Sequence, residues 1–480
     1  MEEAMETNRL RRKACTWVAW VLAAAGVLEA GMGLCQVAGL CASRHALYLL
    51  TGSFYNPGPY SGFLAVCLPV CLRLWMERRG QGGVAENVRL GAMLLVASVL
   101  PAGMSRAAWV AAAAGCACVA VSYGRHRWLE GWRRHRRLWA LAAVALTVSV
   151  GAAGTWAYHY KKDSADGRLL MWKVAARAVA ERPLTGVGWD GVAGAYGEAQ
   201  EAYFRSGRAS EQEKRVAGSP EYVFNEYLQA AMAWGIPVAV LLVGVAGCAL
   251  WGCMRRGDYG LGGALVALAV FSFASYPFQF PEFVGALALL VAAGLPVAAG
   301  GAVLAVGMAV CSCQLQRKAQ AAEWERSRSS YWMGRYEEAV EKAERHYADW
   351  RWNARFVFEY GHALHRLRRW DASNRVLEQA LRVSGDPMVL NIIGKNCQEA
   401  GRPEEAERWL LRAACRLPGR IYPYYLLARL YASRPDVFPR ERLEWAVGRV
   451  VEEEPKVESS AVREMRSRAR KLLGKMKNEE

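Results

Sequence analysis

The feature that most constrains this chain is a series of apolar runs, each long enough to form one helix across a lipid bilayer. A helix rises about 1.5 Å per residue, so roughly 20 apolar residues match the hydrocarbon core. Such runs lie near residues 16–40, 60–75, 88–104, 107–123, 138–157, 233–253 and 260–277, and a further apolar stretch covers 283–313. Inside lipid no water satisfies the backbone, so each run must close its own hydrogen bonds as a helix. After about residue 315 the chain turns to Arg, Glu and Lys, and no apolar run reaches that length. A mean hydropathy of +0.01 therefore averages two unlike parts. The expectation is an all-α protein: a polytopic helical membrane domain over 1–315, then a soluble helical domain over 316–480.

The net charge of +17 has a place in that plan. Arg73, Arg78, Arg79 and Arg89 fill one short connection, Arg125, Arg127, Arg133, Arg134, Arg136 and Arg137 a second, and Arg255-Arg256 a third. These alternate with basic-poor connections, which puts them and the N-terminus on the cytoplasmic side. The excess reads as topogenic, with a phosphate-rich substrate as the alternative, and nucleic acid is not a partner. Arg9, Arg11, Arg12 and Lys13 precede an apolar stretch too long for a cleaved leader, so it reads as an uncleaved first membrane helix. The stretch 283–313 holds 31 residues, about 46 Å of helix. It is one long tilted helix or two short ones, and Gly294-Leu295-Pro296 near its middle favours two. Two would place residues 316–480 on the outer side.

Most of the 13 cysteines lie in apolar runs, where a thiol behaves as a small hydrophobe. The pairs Cys116/Cys118 and Cys311/Cys313 have no second pair at zinc spacing, so neither a metal site nor a disulfide framework is expected.

One connection is long. Residues 158–232 form a polar segment on the outer face, and loops of this length usually have a task. Asp166-Gly-Arg168 leads into Leu169-Leu-Met-Trp172-Lys-Val-Ala-Ala-Arg177, whose apolar residues recur at helical spacing and predict an amphipathic helix at the membrane surface. Gly186-Val-Gly188-Trp-Asp-Gly191 reads as a glycine-rich turn. It follows no strand, which excludes a dinucleotide fingerprint. Arg106 sits between two apolar runs on the same predicted face. A charge so close to hydrocarbon is costly and points to a functional site, with snorkelling to the interface as the plainer alternative.

Four segments carry a resemblance: Thr51-Gly-Ser-Phe-Tyr-Asn56-Pro-Gly-Pro-Tyr-Ser-Gly62; Ser105-Arg106-Ala-Ala-Trp109; Gly167-Arg168-Leu-Leu-Met-Trp172 with Arg182-Pro-Leu-Thr-Gly-Val-Gly188; and Asn225-Glu-Tyr-Leu-Gln229. In order and position they resemble the O-antigen ligase and polymerase-related membrane family of bacterial glycan assembly. The resemblance implies a fold like that of the lipid-carrier glycosyltransferases and transfer of a glycan from undecaprenyl diphosphate to an acceptor hydroxyl outside the bacterial inner membrane. It implies no metal, cofactor or nucleotide sugar; the partners would be the lipid-linked glycan and membrane lipids. Arg106 and Arg168 would hold the diphosphate by bidentate hydrogen bonds, with Lys161 and Lys162 as added point charges. Asn56, Trp172, Asn225 and Tyr227 fall in the implied substrate-binding set. Relatives carry His before the Asn of the last segment, where this chain has Phe224. The acceptor base then falls to Glu226, with Asp190 second and His159 third. Relatives also carry more spans before the first segment, and this chain carries one.

The C-terminal part repeats. Gly334-Arg-Tyr336-Glu-Glu-Ala339, Arg369-Trp370-Asp-Ala372 and Gly401-Arg-Pro403-Glu-Glu-Ala406 recur at 34 and 33 residues, and Gly361 and Gly394 are 33 apart. That is the tetratricopeptide period, so an α-solenoid over 316–480 with capping helices after 440 is expected, a surface for protein partners. Besides a ligase, the sequence admits a polymerase or protein O-glycosyltransferase of the same fold, and a non-catalytic scaffold that displays the repeats.

Overall fold

A computed structural model describes residues 2–125, 136–137, 162–455 and 458–477; the predicted span 138–157 and the candidates His159 and Lys161 lie outside the described residues. Every regular element among the described residues is helical. Among the described residues, six helices are long and apolar enough to cross a membrane: Arg9–Val37, Pro57–Met76, Val84–Gly103, Arg106–Tyr123, Glu226–Arg256 and Val297–Trp332. The shorter apolar helices Tyr259–Phe273 and Pro281–Gly294 join them. Packing divides the chain into two compact units.

The first unit contains residues 1–157, 224–227 and 238–316. Its helices are α1 (Glu2–Val37), α2 (Pro57–Met76), α3 (Val84–Val99), α4 (Arg106–Tyr123), most of α8 (Glu226–Arg256), α9 (Tyr259–Phe273), α10 (Pro281–Gly294) and the start of α11 (Val297–Ser327). Leu64, Ala108, Ala264, Phe271, Phe283 and Leu290 fill its centre. Phe63 meets Phe283 edge-on at 5.6 Å, and Phe271 stacks on Phe283 at 5.8 Å. Val240, Leu241 and Leu242 on α8 point outward, as lipid-facing residues must.

The stretch 283–313 is two helices, broken at Leu295-Pro296. The break needs explaining, because a helix end leaves carbonyls without partners. Two arginines supply donors: Arg256 bonds the carbonyls of Ala293 at 2.6 Å and Gly294 at 3.1 Å, and Arg11 bonds those of Gly294 and Leu295. Both arginines come from segments expected on the cytoplasmic side. The end of α10 therefore lies with the N-terminus and the 254–256 connection, and α11 runs back toward the opposite face.

The second unit contains residues 158–223, 228–237 and 317–480. From the long connection it takes α5 (Lys162–Glu181), α6 (Val192–Arg205) and α7 (Glu211–Val216). After α11 come the short α12 (Ser329–Trp332), then α13 (Tyr336–Trp350), α14 (Ala354–Arg366), α15 (Trp370–Val383), α16 (Pro387–Glu399), α17 (Pro403–Arg416), α18 (Ile421–Ser433), α19 (Arg440–Glu452) and α20 (Ser460–Lys477). Each of α13 to α19 packs on its neighbours in sequence around Leu377, Val389, Ile393, Leu410, Leu427 and Leu443. Starts at Tyr336, Trp370 and Pro403, and at Ala354, Pro387 and Ile421, repeat the 33- to 34-residue spacing.

The helices of the long connection dock on this stack. α6 lies against α15 and α17, and two glycines permit the approach. A Cβ on Gly194 would come within 2.3 Å of the Arg382 carbonyl, and one on Gly197 within 2.7 Å of the Gly385 Cα. Beside them the buried Glu201 accepts from Arg412 at 2.9 Å and from Arg416 at 3.0 Å, with Arg205 as a third partner. Gln200 donates to the Arg416 carbonyl at 2.6 Å. The described residues of 162–223 and 317–477 thus share one core. The expected amphipathic helix forms as α5, and its apolar face packs on protein: Leu170, Val174, Ala175 and Ala178 are buried, and α6 and α7 pack against this helix. Lys173 ties it to α6 and α7 by bonds of 2.7 Å to both Tyr203 and Glu213. Burial pushes the Glu213 carboxyl up, but hydrogen bonds from Lys173, the Ser210 amide and Tyr203 outweigh it and hold the group at about 2.

Candidate functional site

Three of the four segments that carry the resemblance are built around helix starts, and the third in chain order lies within α5 and the turn after it. Ser105 caps α4, its hydroxyl accepting from the Ala108 amide, and Trp109 donates back to the Leu100 carbonyl at 2.9 Å. Met104 takes the left-handed conformation at φ 50°, rare for a residue with a side chain, to turn the chain into that cap. Together they set Arg106 as the first residue of α4, half-buried.

Asn56 has a similar local task. Its side chain caps α2 by accepting from the Gly58 amide at 3.0 Å. The segment before it is pinned to α1 by two polar side chains within the first apolar run. Gln36 accepts from the amides of Thr51 and Gly52, and Glu29 accepts from the Ser53 amide at 3.0 Å and its hydroxyl at 2.5 Å. Neither was singled out in the sequence. Glu29 carried a usable signal, because a carboxylate inside a membrane run is rare without a partner or a task.

The last segment begins at Phe224, which is left-handed at φ 51° and packs edge-on against Tyr276 at 4.8 Å. Asn225 caps the next turn, accepting from the Tyr227 amide at 3.1 Å, and the Tyr227 hydroxyl donates to the Ala269 carbonyl at 2.8 Å. Glu226 is 5% exposed, and its carboxylate accepts from the Phe278 amide at 2.8 Å. It fastens the 276–280 turn to the start of α8.

In the second unit Arg168 and Trp172 lie half-buried on α5, and Lys162 is exposed at its first turn. The glycine-rich turn after α5 repairs a break in α8. Gly235 interrupts that helix at φ 83° and ψ 165°, a region open essentially to glycine alone. The orphaned groups bond to the turn: the Val187 and Gly188 amides donate to the carbonyls of Met232 and Ala233, and the Ile236 amide donates to Pro183 at 2.7 Å. A Cβ on Gly186 would lie 2.5 Å from the Ala233 backbone. Trp189 stacks on Trp234 at 5.1 Å, closing the joint. The next residue, Asp190, forms a two-bond pair with Arg317 at 2.6 and 2.9 Å. Arg317 stands over the Trp352 ring at 5.1 Å. Sequence reading found Asp190 and missed Arg317, which lies 127 residues away and has no local signal.

The first unit therefore carries Asn56, Arg106, Asn225, Glu226 and Tyr227, and the second carries Lys162, Arg168, Trp172 and Asp190. Of the two carboxylates expected to serve as base, Glu226 is enclosed, while the Asp190 side chain is 37% exposed.

A family model described as O-antigen ligase matches residues 90–243, a stretch that includes Arg106, Arg168, Asp190 and the Asn225–Tyr227 turn. Comparison with curated proteins and with solved structures gives no match.

Proposed function

From the O-antigen ligase match over residues 90–243, we propose that this protein is a glycosyltransferase of the ligase type in bacterial surface-polysaccharide or glycoconjugate assembly. It takes a glycan from an undecaprenyl-diphosphate carrier and joins it to an acceptor hydroxyl. The observation that carries the reading is the presence of Arg106 and Arg168 within the matched stretch, each half-buried and each on a helix with a defined local frame. The departing diphosphate gains negative charge, and guanidinium groups stabilise it by charge-assisted bonds without a metal or cofactor. Lys161 and Lys162 add positive charge near the start of the same segment. Asp190 is the carboxylate we assign to the acceptor proton, because its side chain is 37% exposed while Glu226 is enclosed, and it would serve from within its pair with Arg317. Asn56, Asn225 and Tyr227, held in caps and turns of the first unit, and Trp172, half-buried on α5, are the residues we assign to substrate binding.

The reaction belongs on the outer face of the inner membrane. Capping of the α10 end by Arg11 and Arg256 supports a cytoplasmic end for that helix. The return of α11, and the shared core of the long connection with the C-terminal helices, support an outer location for both. The 33- to 34-residue spacing of helix starts supports a tetratricopeptide-type stack.

Transfer assayed with lipid-linked glycan in reconstituted membranes tests the reading. Arg106→Ala and Arg168→Ala are each expected to lower the rate by at least about a hundredfold, with membrane insertion unchanged. Unimpaired transfer by both variants would refute it.

A further inference from the structure

A cavity of about 730 Å³ opens in the second unit between the glycine-rich turn and α13, α14 and α15. Its walls include Asp190, Tyr347, Trp352, Tyr360, Arg375 and Arg382. The volume lies within the usual range for small-ligand sites, roughly 300–1,000 Å³. Two features define what it can hold. The first is charge. Arg351, Arg375 and Arg382 line it, and among the described residues none of the three enters an ion pair. Of the carboxylates on the wall, Asp190 is already matched by Arg317, which leaves Glu344 against three guanidinium groups. The second is shape. Tyr347 and Tyr360 meet at 6.0 Å, and Trp352 is held by its ring N–H to the Asp349 carbonyl at 2.8 Å and by Arg317 over its face. Fixed aromatic faces beside planar donors suit sugar rings, whose C–H faces stack while their hydroxyls bond Gln379 and Glu344.

We propose that this cavity is a binding subsite for an anionic oligosaccharide, the acceptor chain of the transfer reaction. The word acceptor rests on the function proposed above. The binding chemistry does not: it follows from the arginines and aromatics alone. The position adds an argument, because Asp190 belongs both to the stretch matched by the ligase family and to the cavity wall. A sugar seated between Trp352 and Arg382 brings its hydroxyls toward that carboxylate. The C-terminal helices then act as part of the site, where a free-standing display domain would leave the cavity without its second wall.

The test uses the full-length protein in lipid nanodiscs and three probes: a galacturonic-acid tetrasaccharide, maltotetraose and a hexaglutamate peptide. The acidic sugar is expected to bind at least about tenfold more tightly than maltotetraose, since each charge-assisted bond to a guanidinium adds of that order, and more tightly than hexaglutamate, which carries charge but no sugar ring to stack on Tyr347, Tyr360 and Trp352. Arg375→Ala with Arg382→Ala is expected to weaken that binding about tenfold or more. The double Lys variant, which keeps the charge and guards against misfolding as the cause, is expected to retain most of it. Arg168→Ala should bind the sugar as the wild type does while losing transfer. Binding that ignores Arg375 and Arg382 overturns the proposal, as does tighter arginine-dependent binding of hexaglutamate, which would make this an acidic-peptide groove. Undiminished transfer by Arg106→Ala and Arg168→Ala, alongside arginine-dependent sugar binding, would remove the ligase reading and leave the glycan site standing.

Discussion

Arg416 is fully buried, and its charge is answered by Glu201. Burial lowers the Arg416 pKa and Glu201 raises it again. Removing one partner of a buried pair strands the other, at a cost of about 3–5 kcal/mol. Glu201→Ala is therefore expected to lower the melting temperature of the purified protein sharply, and more than Arg412→Ala, since Arg412 is part-exposed and can rehydrate. A second residue-level expectation concerns pH. Burial, with His365, Arg366 and Lys395 nearby, lowers the His362 pKa from 6.5 to about 4, and its ring nitrogen bonds the Tyr331 hydroxyl at 2.7 Å. The unfolded chain takes up a proton near 6.5, while the folded one waits until about 4. Stability is then full above pH 6.5, declines as pH falls from 6.5 to 4, and levels off below. Thermal unfolding across that window should show the decline, and His362→Asn should flatten it. At this scale residue types were legible and their local geometry was not. Asn56, Ser105 and Asn225 stand in motifs that suggest substrate contact, and in the structure each side-chain oxygen also accepts from a backbone amide at a helix start. A short polar side chain before a helix looks the same in sequence whether it serves ligand or backbone.

At the scale of elements, the break in α8 shows what periodicity conceals. The apolar run 233–253 reads as one span, but the helix is broken within it at Gly235, just before Pro237, and a glycine-rich turn about 50 residues earlier completes the joint. Glycine alone among residues tolerates the Gly235 conformation, and a methyl group there would meet the Leu184 carbonyl at 2.2 Å. Gly235→Ala is expected to destabilise by at least about 2 kcal/mol and to reduce transfer, because the same turn carries Asp190. Limited proteolysis between residues 182 and 191 should speed up in that variant; an unchanged cleavage pattern would mean the joint is not needed. The break at 295–296 was legible, because proline announces it. Its capping by Arg11 and Arg256 was not, since both arginines already had an adequate explanation as topogenic charges.

For the whole molecule, the switch in composition near residue 315 is real, and the packing boundary falls at Gln316 and Arg317. What composition could not show is that the long connection folds with the C-terminal helices. Those contacts join residues 188 to 215 positions apart, and the glycines and Glu201 that make them read as ordinary loop composition. Topology follows from this. A reporter fused after residue 477 and one inserted at Gly207 are expected to report the same side of the membrane, opposite to a reporter placed in the 77–83 connection. Opposite readings from the first two would contradict the shared core.

That shared core also sets an order of events during synthesis. Glu201 is made 215 residues before the arginine that neutralises it. At about 5–20 residues per second, ribosomes need on the order of 10–40 s to cover that distance. Through this interval Glu201 has only Arg205 of its three guanidinium partners, and the glycine face of α6 has nothing to cover it. The long connection can reach its final form only when most of the chain exists, so a nascent or prematurely terminated copy would keep α6 undocked until α17 arrives.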